Sequence, residues 1–134
     1  MQISRFVIAF FVVFIVYALL YVASFAIAGP GLQEAMAPIA RAADDPARVW
    51  APVGHALETL VIVTLYWRFV QSRQIAVGLQ FGALMGMLQS GTQIATMGGI
   101  ASPVDYTLAF VPVHIAIAAL AGMALARLHR PAKA

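Results

Sequence analysis

Four long apolar stretches alternate with short polar ones along this chain, at about residues 6–28, 50–70, 75–98 and 104–127. Each is close to the roughly 20 residues that a helix needs to cross a hydrocarbon core about 30 Å thick. Backbone groups in hydrocarbon must bond within their own segment, so helices are the natural form of such runs. The pattern predicts an all-α fold: a four-helix transmembrane bundle forming a single integral membrane domain over 1–134.

The first run, Phe6 to Ala28, contains no Pro, Gly or charge. Ala26-Ile27-Ala28 has the small residues of a signal-peptide cleavage site. The run is longer than the roughly 7–15 apolar residues of a signal core, so it reads as a retained span. Tyr17, Tyr21 and Ser24 lie on or near one face, where their hydroxyls are expected to bond to neighbouring helices. Gly29-Pro30-Gly31 is expected to end this helix. Leu32, Met36, Ile39 and Ala40 then have helical spacing, which predicts a short interfacial helix within 32–43. Asp45 is placed as N-cap and Pro46 at the first position of the next helix. Trp50 and Trp67 lie about 25 Å apart along span two, which suits two interfacial anchors.

The third span carries Gly78, Gly82, Gly86 and Ser90 at every fourth position. At about 100° per residue the three glycines share a sector of roughly 80°. Gln89, Gln93 and Thr96 fall in the same sector. Its first half is bare backbone that another helix can approach closely. Its second half carries amides and hydroxyls that hydrocarbon does not tolerate unpaired. A second small-residue stripe, His114, Ala118 and Gly122, runs along span four. These stripes predict close helix packing and, through the glycines, assembly of copies or of a larger membrane complex. Ser102-Pro103-Val104-Asp105 forms a capping pattern, which assigns Asp105 to capping. Pro112 interrupts the hydrogen bond to the Leu108 carbonyl.

Composition agrees with a lipid solvent. The chain is 63% apolar and 10% charged, against about 25% charged in soluble domains. The net charge of +3 comes without a basic run or aromatic-basic face, so nucleic acid is not expected as a partner. Cys is absent, which excludes disulfides and thiolate chemistry. Four spans put Arg5, Arg68, Arg73, Arg127, Arg130 and Lys133 on one side and only Arg41 and Arg48 on the other. By the positive-inside rule both termini are expected to be cytoplasmic.

Depth along each helix brings candidate groups together. Glu58 lies about 12 Å below the outer surface and His114 about 15 Å. Gln93 and Gln89 lie roughly 10 and 15 Å below the outer end of span three. His55 is one turn above Glu58. The expected site is an outward-facing polar chamber of Glu58, His114, His55, Gln89, Gln93 and Thr96. A charged side chain at the centre of a span costs about 2.5–3.5 kcal/mol on insertion scales, so Glu58 is expected to be paired or uncharged. One reading is a structural pair of Glu58 with His114, Gln89 or Gln93, in a non-enzymatic interaction or accessory subunit. A second is a proton-coupled small-solute transporter or channel using Glu58 and His114. A third is a metal or haem protein with His55, Glu58 and His114 as ligands, although His55-x-x-Glu58 occurs once where a dinuclear site needs more carboxylates. A lipid or quinone pocket has no specific sequence signal. No zinc, phosphate-loop or G-x-S-x-G motif is present, so no cofactor or catalytic group is assigned. His129, in the basic tail, is expected to be solvated.

The layout resembles a family of small, uncharacterised four-helix bacterial inner-membrane proteins, classed as a domain of unknown function. The similarity lies in a helix-forming outer loop ending at Trp50, a Gly- and Thr-rich third span from Gly78 to Thr96, and Asp105 preceding His114 in span four. Span one lacks the Trp common in that family, and Glu58 lies outside its pattern. The resemblance implies an integral membrane location and no established activity.

Overall fold

The computed structural model describes residues 3–99 and 104–129. The expected cap at Ser102-Pro103 and the tail residues Arg130 and Lys133 lie outside them, as does the side chain of Ser24. Among the described residues there is helix and turn but no strand. Four long helices follow in order: α1 Ile3–Met36, α2 Trp50–Leu65, α3 Ile75–Met97 and α4 Val104–Leu128. A 3-10 turn, Pro46–Val49, leads into α2, and a π turn, Tyr66–Val70, extends it.

Three segments are long and apolar enough to cross a membrane: Ile3–Ile27, Pro46–Val70 and Val104–Leu128. Helix α3 is not among them, because its glycines, glutamines, serine and threonines dilute its apolar residues. The outer face of α1 leaves Val7, Phe11, Ile15, Leu19 and Val22 exposed at near-helical spacing. An apolar stripe of that length is unfavourable in water and fits hydrocarbon.

Helix α1 does not stop at Gly29-Pro30-Gly31, and no separate interfacial helix follows. The helix continues to Met36 and then passes into turns. Pro30 lacks the N–H that would bond the Ala26 carbonyl, a loss that long membrane helices tolerate where neighbours cover the freed group. Beside it, a Cβ on Gly31 would sit 2.7 Å from the Tyr106 hydroxyl of α4, a side-chain tip that could shift to admit it. The 34 residues of α1 span about 51 Å, well beyond a hydrocarbon core.

The start of α2 follows the expected capping chemistry. Asp45 has extended backbone and accepts the Ala47 N–H at 2.8 Å, with Pro46 next. The Arg41 guanidinium donates to the same carboxylate at 2.8 Å. That bond, with the one from Ala47, holds the Asp45 carboxyl below the usual carboxylate range. At the other end, Gln71 adopts φ 49° and its N–H reaches back to the Tyr66 carbonyl at 3.0 Å, closing the wide π turn.

Helices α3 and α4 form the tightest pair, α4 also packs on α1, and α1 packs on α2. Helix α2 makes little direct contact with α3, its neighbour in sequence. Gly78, Gly82, Gly86 and Ser90 are all buried, facing Ala118 and Gly122. A Cβ on Gly82 would collide with the Ala118 carbonyl oxygen, and one on Gly122 with the Gly78 carbonyl oxygen. The stripe expected to join copies is thus filled by α4 of the same chain, so contacts between copies must use other faces.

The apolar core occupies one half of the molecule. Ala9, Val13 and Tyr17 of α1 meet Ile62, Val63, Tyr66 and Trp67 near the end of α2. Ile117, Ala118, Ala121, Leu125 and Ala126 of α4 complete it. Trp67 is therefore not an interfacial anchor. It is 8% exposed, with its ring edge-on to Phe6 at 6.1 Å and to His129 at 4.9 Å, whereas Trp50 is 68% exposed. His129 is not solvated either. It is 4% exposed against Tyr66 and Trp67, and neither ring nitrogen has a partner among the described residues. Burial, and secondarily the Arg73 charge, hold its pKa below that of ordinary histidine.

Candidate functional site

The opposite half of the molecule is hollow. A cavity of about 430 Å³ lies there, with walls from all four helices. Helix α4 supplies Tyr106, Phe110 and His114, spaced by four so that one face of the helix carries all three. Helix α1 supplies Tyr21 and Phe25, again four apart, and Met36 from the continuation beyond Pro30. Helix α3 contributes Thr92, Gln93, Thr96 and Met97, and α2 contributes His55. Of these, Phe25, His55, Thr92, Gln93 and Thr96 are exposed, so the cavity opens to the surroundings.

His114 is the most enclosed polar group of the cavity, at 4% exposure. Its ring centroid is 5.2 Å from Tyr21 and 6.0 Å from Phe110. Its Nδ1 is buried and has no hydrogen-bond partner among the described residues. The Tyr21 ring also lies 5.7 Å from His55, between the two imidazoles. The Phe25 and Phe110 rings, tilted by 32°, are 5.4 Å apart. The threonines are partly committed: Thr92 donates to the Leu88 carbonyl at 3.1 Å and Thr96 to the Thr92 carbonyl at 2.9 Å. Ser90 likewise donates to the Gly86 carbonyl at 2.8 Å. Hydroxyls bonded back to their own helix satisfy hydrocarbon without a second helix.

The expected polar chamber is divided. His114, His55, Gln93 and Thr96 line the cavity. Glu58 and Gln89 instead line a crevice of about 310 Å³ between α2 and α3, and Thr92 borders both spaces. The Glu58 side chain is 51% exposed. Its partner is His55 of its own helix, with Oε2 3.3 Å from Nδ1. It makes no hydrogen bond to His114, Gln89 or Gln93 among the described residues, so the interhelical pair expected for it is not formed. The polar link between helices is elsewhere: the Tyr17 hydroxyl, buried on α1, donates to Gln89 Oε1 on α3 at 3.5 Å. Three metal ligands do not converge, since among the described residues no group of three His, Cys, Asp or Glu side chains is placed to hold an ion.

Of the aromatic lining, the sequence pointed to Tyr21 and His114 but not to Phe25, Tyr106 or Phe110, although their spacing is visible there. Tyr21 and Phe25, and Tyr106, Phe110 and His114, each recur by four at the end of a span that also holds the polar groups. Such repeats are equally common on faces turned to lipid, so the repeat alone does not point inward.

Comparison with protein-family models, with curated proteins and with solved structures finds no match for this chain.

Proposed function

We propose that this chain is a multi-pass protein of a bacterial inner membrane whose four helices form one transmembrane bundle. Its role is that of a non-enzymatic accessory or interaction subunit, holding a small amphipathic molecule in the cavity. The observation that carries this reading is the cavity itself: four helices contribute to one mostly apolar space with a buried imidazole at its wall, whose Nδ1 has no partner among the described residues. Small-molecule sites are typically apolar clefts of about 300–1,000 Å³ with a few placed polar groups. Although α3 is too polar to qualify as a span by apolarity, its glycine face lies against α4 and its polar end borders the cavity, which supports its placement in the bundle.

Lys and Arg on the side of Arg5, Arg68, Arg73 and Arg127 support cytoplasmic termini and a cavity that faces outward. The absence of native Cys makes this direct to test. A thiol introduced as Ala43→Cys is expected to react with an impermeant maleimide on intact cells, and one at Gln74→Cys only after lysis. The reverse pattern would overturn the orientation. For the binding role, mass spectrometry of protein extracted from native membranes should find a bound small molecule that Thr96→Trp, which fills the cavity mouth, displaces. A wild-type preparation free of any such molecule would refute it.

A second reading, a proton-coupled path, is favoured by one arrangement. Glu58 pairs with His55, and the Tyr21 ring bridges from His55 to His114. It predicts a pH-driven flux in liposomes that Glu58→Gln abolishes; no flux in the wild type would remove it.

A further inference from the structure

We infer that the cavity takes the head of a lipid-soluble ring compound bearing oxo groups, that is, a quinone, with His114 as its polar contact. This rests on the reading of the cavity as a binding site and narrows it to a ligand class.

The cavity of about 430 Å³ has room for a substituted six-membered ring and the first part of a tail. Among the described residues no Lys or Arg lines it, so nothing in that lining would neutralise a carboxylate or phosphate head. An organic cation would suit the aromatic walls. However, the nearby carboxylate, Glu58, opens on the neighbouring crevice and is paired with His55. A sugar or amino acid needs many polar partners. Here the Thr92 and Thr96 hydroxyl protons are already given to their own helix and His55 is paired with Glu58, which leaves Gln93, His114 and the Tyr21 and Tyr106 hydroxyls as the polar lining.

A flat ring meets the opposite situation. Aromatic partners stack offset or edge-on with centroids about 4.5–7 Å apart. Tyr21, Phe25, Phe110 and His114 already meet one another at 5.2, 5.4 and 6.0 Å and form an aromatic wall of the cavity, on which a further flat ring can stack. A neutral imidazole carries one N–H donor and one acceptor nitrogen. His114 lines the cavity at 4% exposure and its Nδ1 has no partner among the described residues, so a small turn of the ring toward the cavity would let it bond an oxo group. The Gln93 carboxamide, at the exposed side, is a donor for a second oxo group. Phe25 is 44% exposed at the cavity, which leaves a route for an apolar tail toward lipid.

The experiment uses the full chain in phosphatidylcholine nanodiscs, titrated calorimetrically with decylubiquinone. Decylbenzene, with a ring and chain but no oxo groups, is the paired probe. Decylubiquinone is expected to bind saturably at one per chain, and decylbenzene at least about ten-fold more weakly, the worth of a buried hydrogen bond. His114→Phe should weaken decylubiquinone by about ten-fold and leave decylbenzene unchanged. If that variant loses its helical circular dichroism, Gln93→Leu, at an exposed position, carries the same expectation. Equal affinity for the two probes, or full decylubiquinone affinity in a folded variant, overturns the quinone assignment while leaving an apolar binding cavity. Saturable binding of neither probe overturns both the assignment and the cavity reading beneath it.

Discussion

Replacing Gly82 by alanine tests the contact on which the α3–α4 pair depends. The added Cβ would lie 2.8 Å from the Ala118 carbonyl carbon and from the Ala119 Cα, and would collide with the Ala118 oxygen. Ordinary contact begins at 3.4 Å, so the two carbon contacts alone require the helices to part by about 0.6 Å, and the closer Ala118 oxygen requires more. A gap of roughly 0.5–1 Å forfeits a quarter to a half of each dispersion contact across it. Because the opposing atoms are backbone, no side chain can rotate away. Overpacking of this kind costs about 1–3 kcal/mol, and rigid neighbours place Gly82→Ala toward the upper part of that range. Against it stands the gain from replacing a helical glycine, about 0.5–1 kcal/mol. The net expectation is a loss of about 1–2 kcal/mol. Gly91 lies on the same helix with nothing within 4 Å of its virtual Cβ, so Gly91→Ala should be neutral or stabilising by up to about 1 kcal/mol. Unfolding by sodium dodecyl sulfate in mixed micelles, followed by circular dichroism, measures both variants on one scale. If Gly82→Ala and Gly91→Ala agree within about 0.5 kcal/mol, the close approach of α3 and α4 is not what this argument takes it to be.

Three other outcomes are expected. His129 has a pKa depressed by burial and by Arg73, so below about pH 6.5 the unfolded chain binds the proton more readily than the folded one. Stability should therefore be fully present above that pH and fall as pH drops toward the depressed value, and His129→Phe should flatten this slope in pH-dependent melts. Tyr17→Phe removes the 3.5 Å bond to Gln89 and should cost about 0.5–1 kcal/mol in the same micelle assay, the low end for a long bond. Dicyclohexylcarbodiimide, which reaches carboxyls from lipid, should modify Glu58 because the crevice leaves that side chain half exposed. Glu58→Gln should abolish the mass shift, and labelling that persists would place the reactive group elsewhere.

Residue order alone determined what depends on local chemistry and on solvent. The runs without charge, the Asp45-Pro46 cap and the four-residue recurrence of Gly78, Gly82 and Gly86 are legible because helix period, capping and hydropathy act over one or two turns. That Gly78 to Gly86 would meet a helix as bare as themselves was also readable, since Ala118 and Gly122 repeat at the same interval. Which helix fills a stripe is a matter of tertiary placement, and here it is α4 of the same chain. The same limit explains the other departures. Hydropathy does not separate an aromatic facing lipid from one facing protein, so Trp67 and His129 looked like surface residues until α1, α2 and α4 were brought together around them. Gly-Pro-Gly usually ends a helix, yet α1 runs on to Met36, with Tyr106 of α4 beside Gly31, and so walls the cavity. Depth placed Glu58 beside His114, but azimuth about the helix axis was undetermined. The separation of α2 from α3 turned the carboxylate into a side crevice, while His114, with His55, Gln93 and Thr96, faced the hollow among four helices. A helix of known sequence still has one rotational freedom, and only its neighbours remove it.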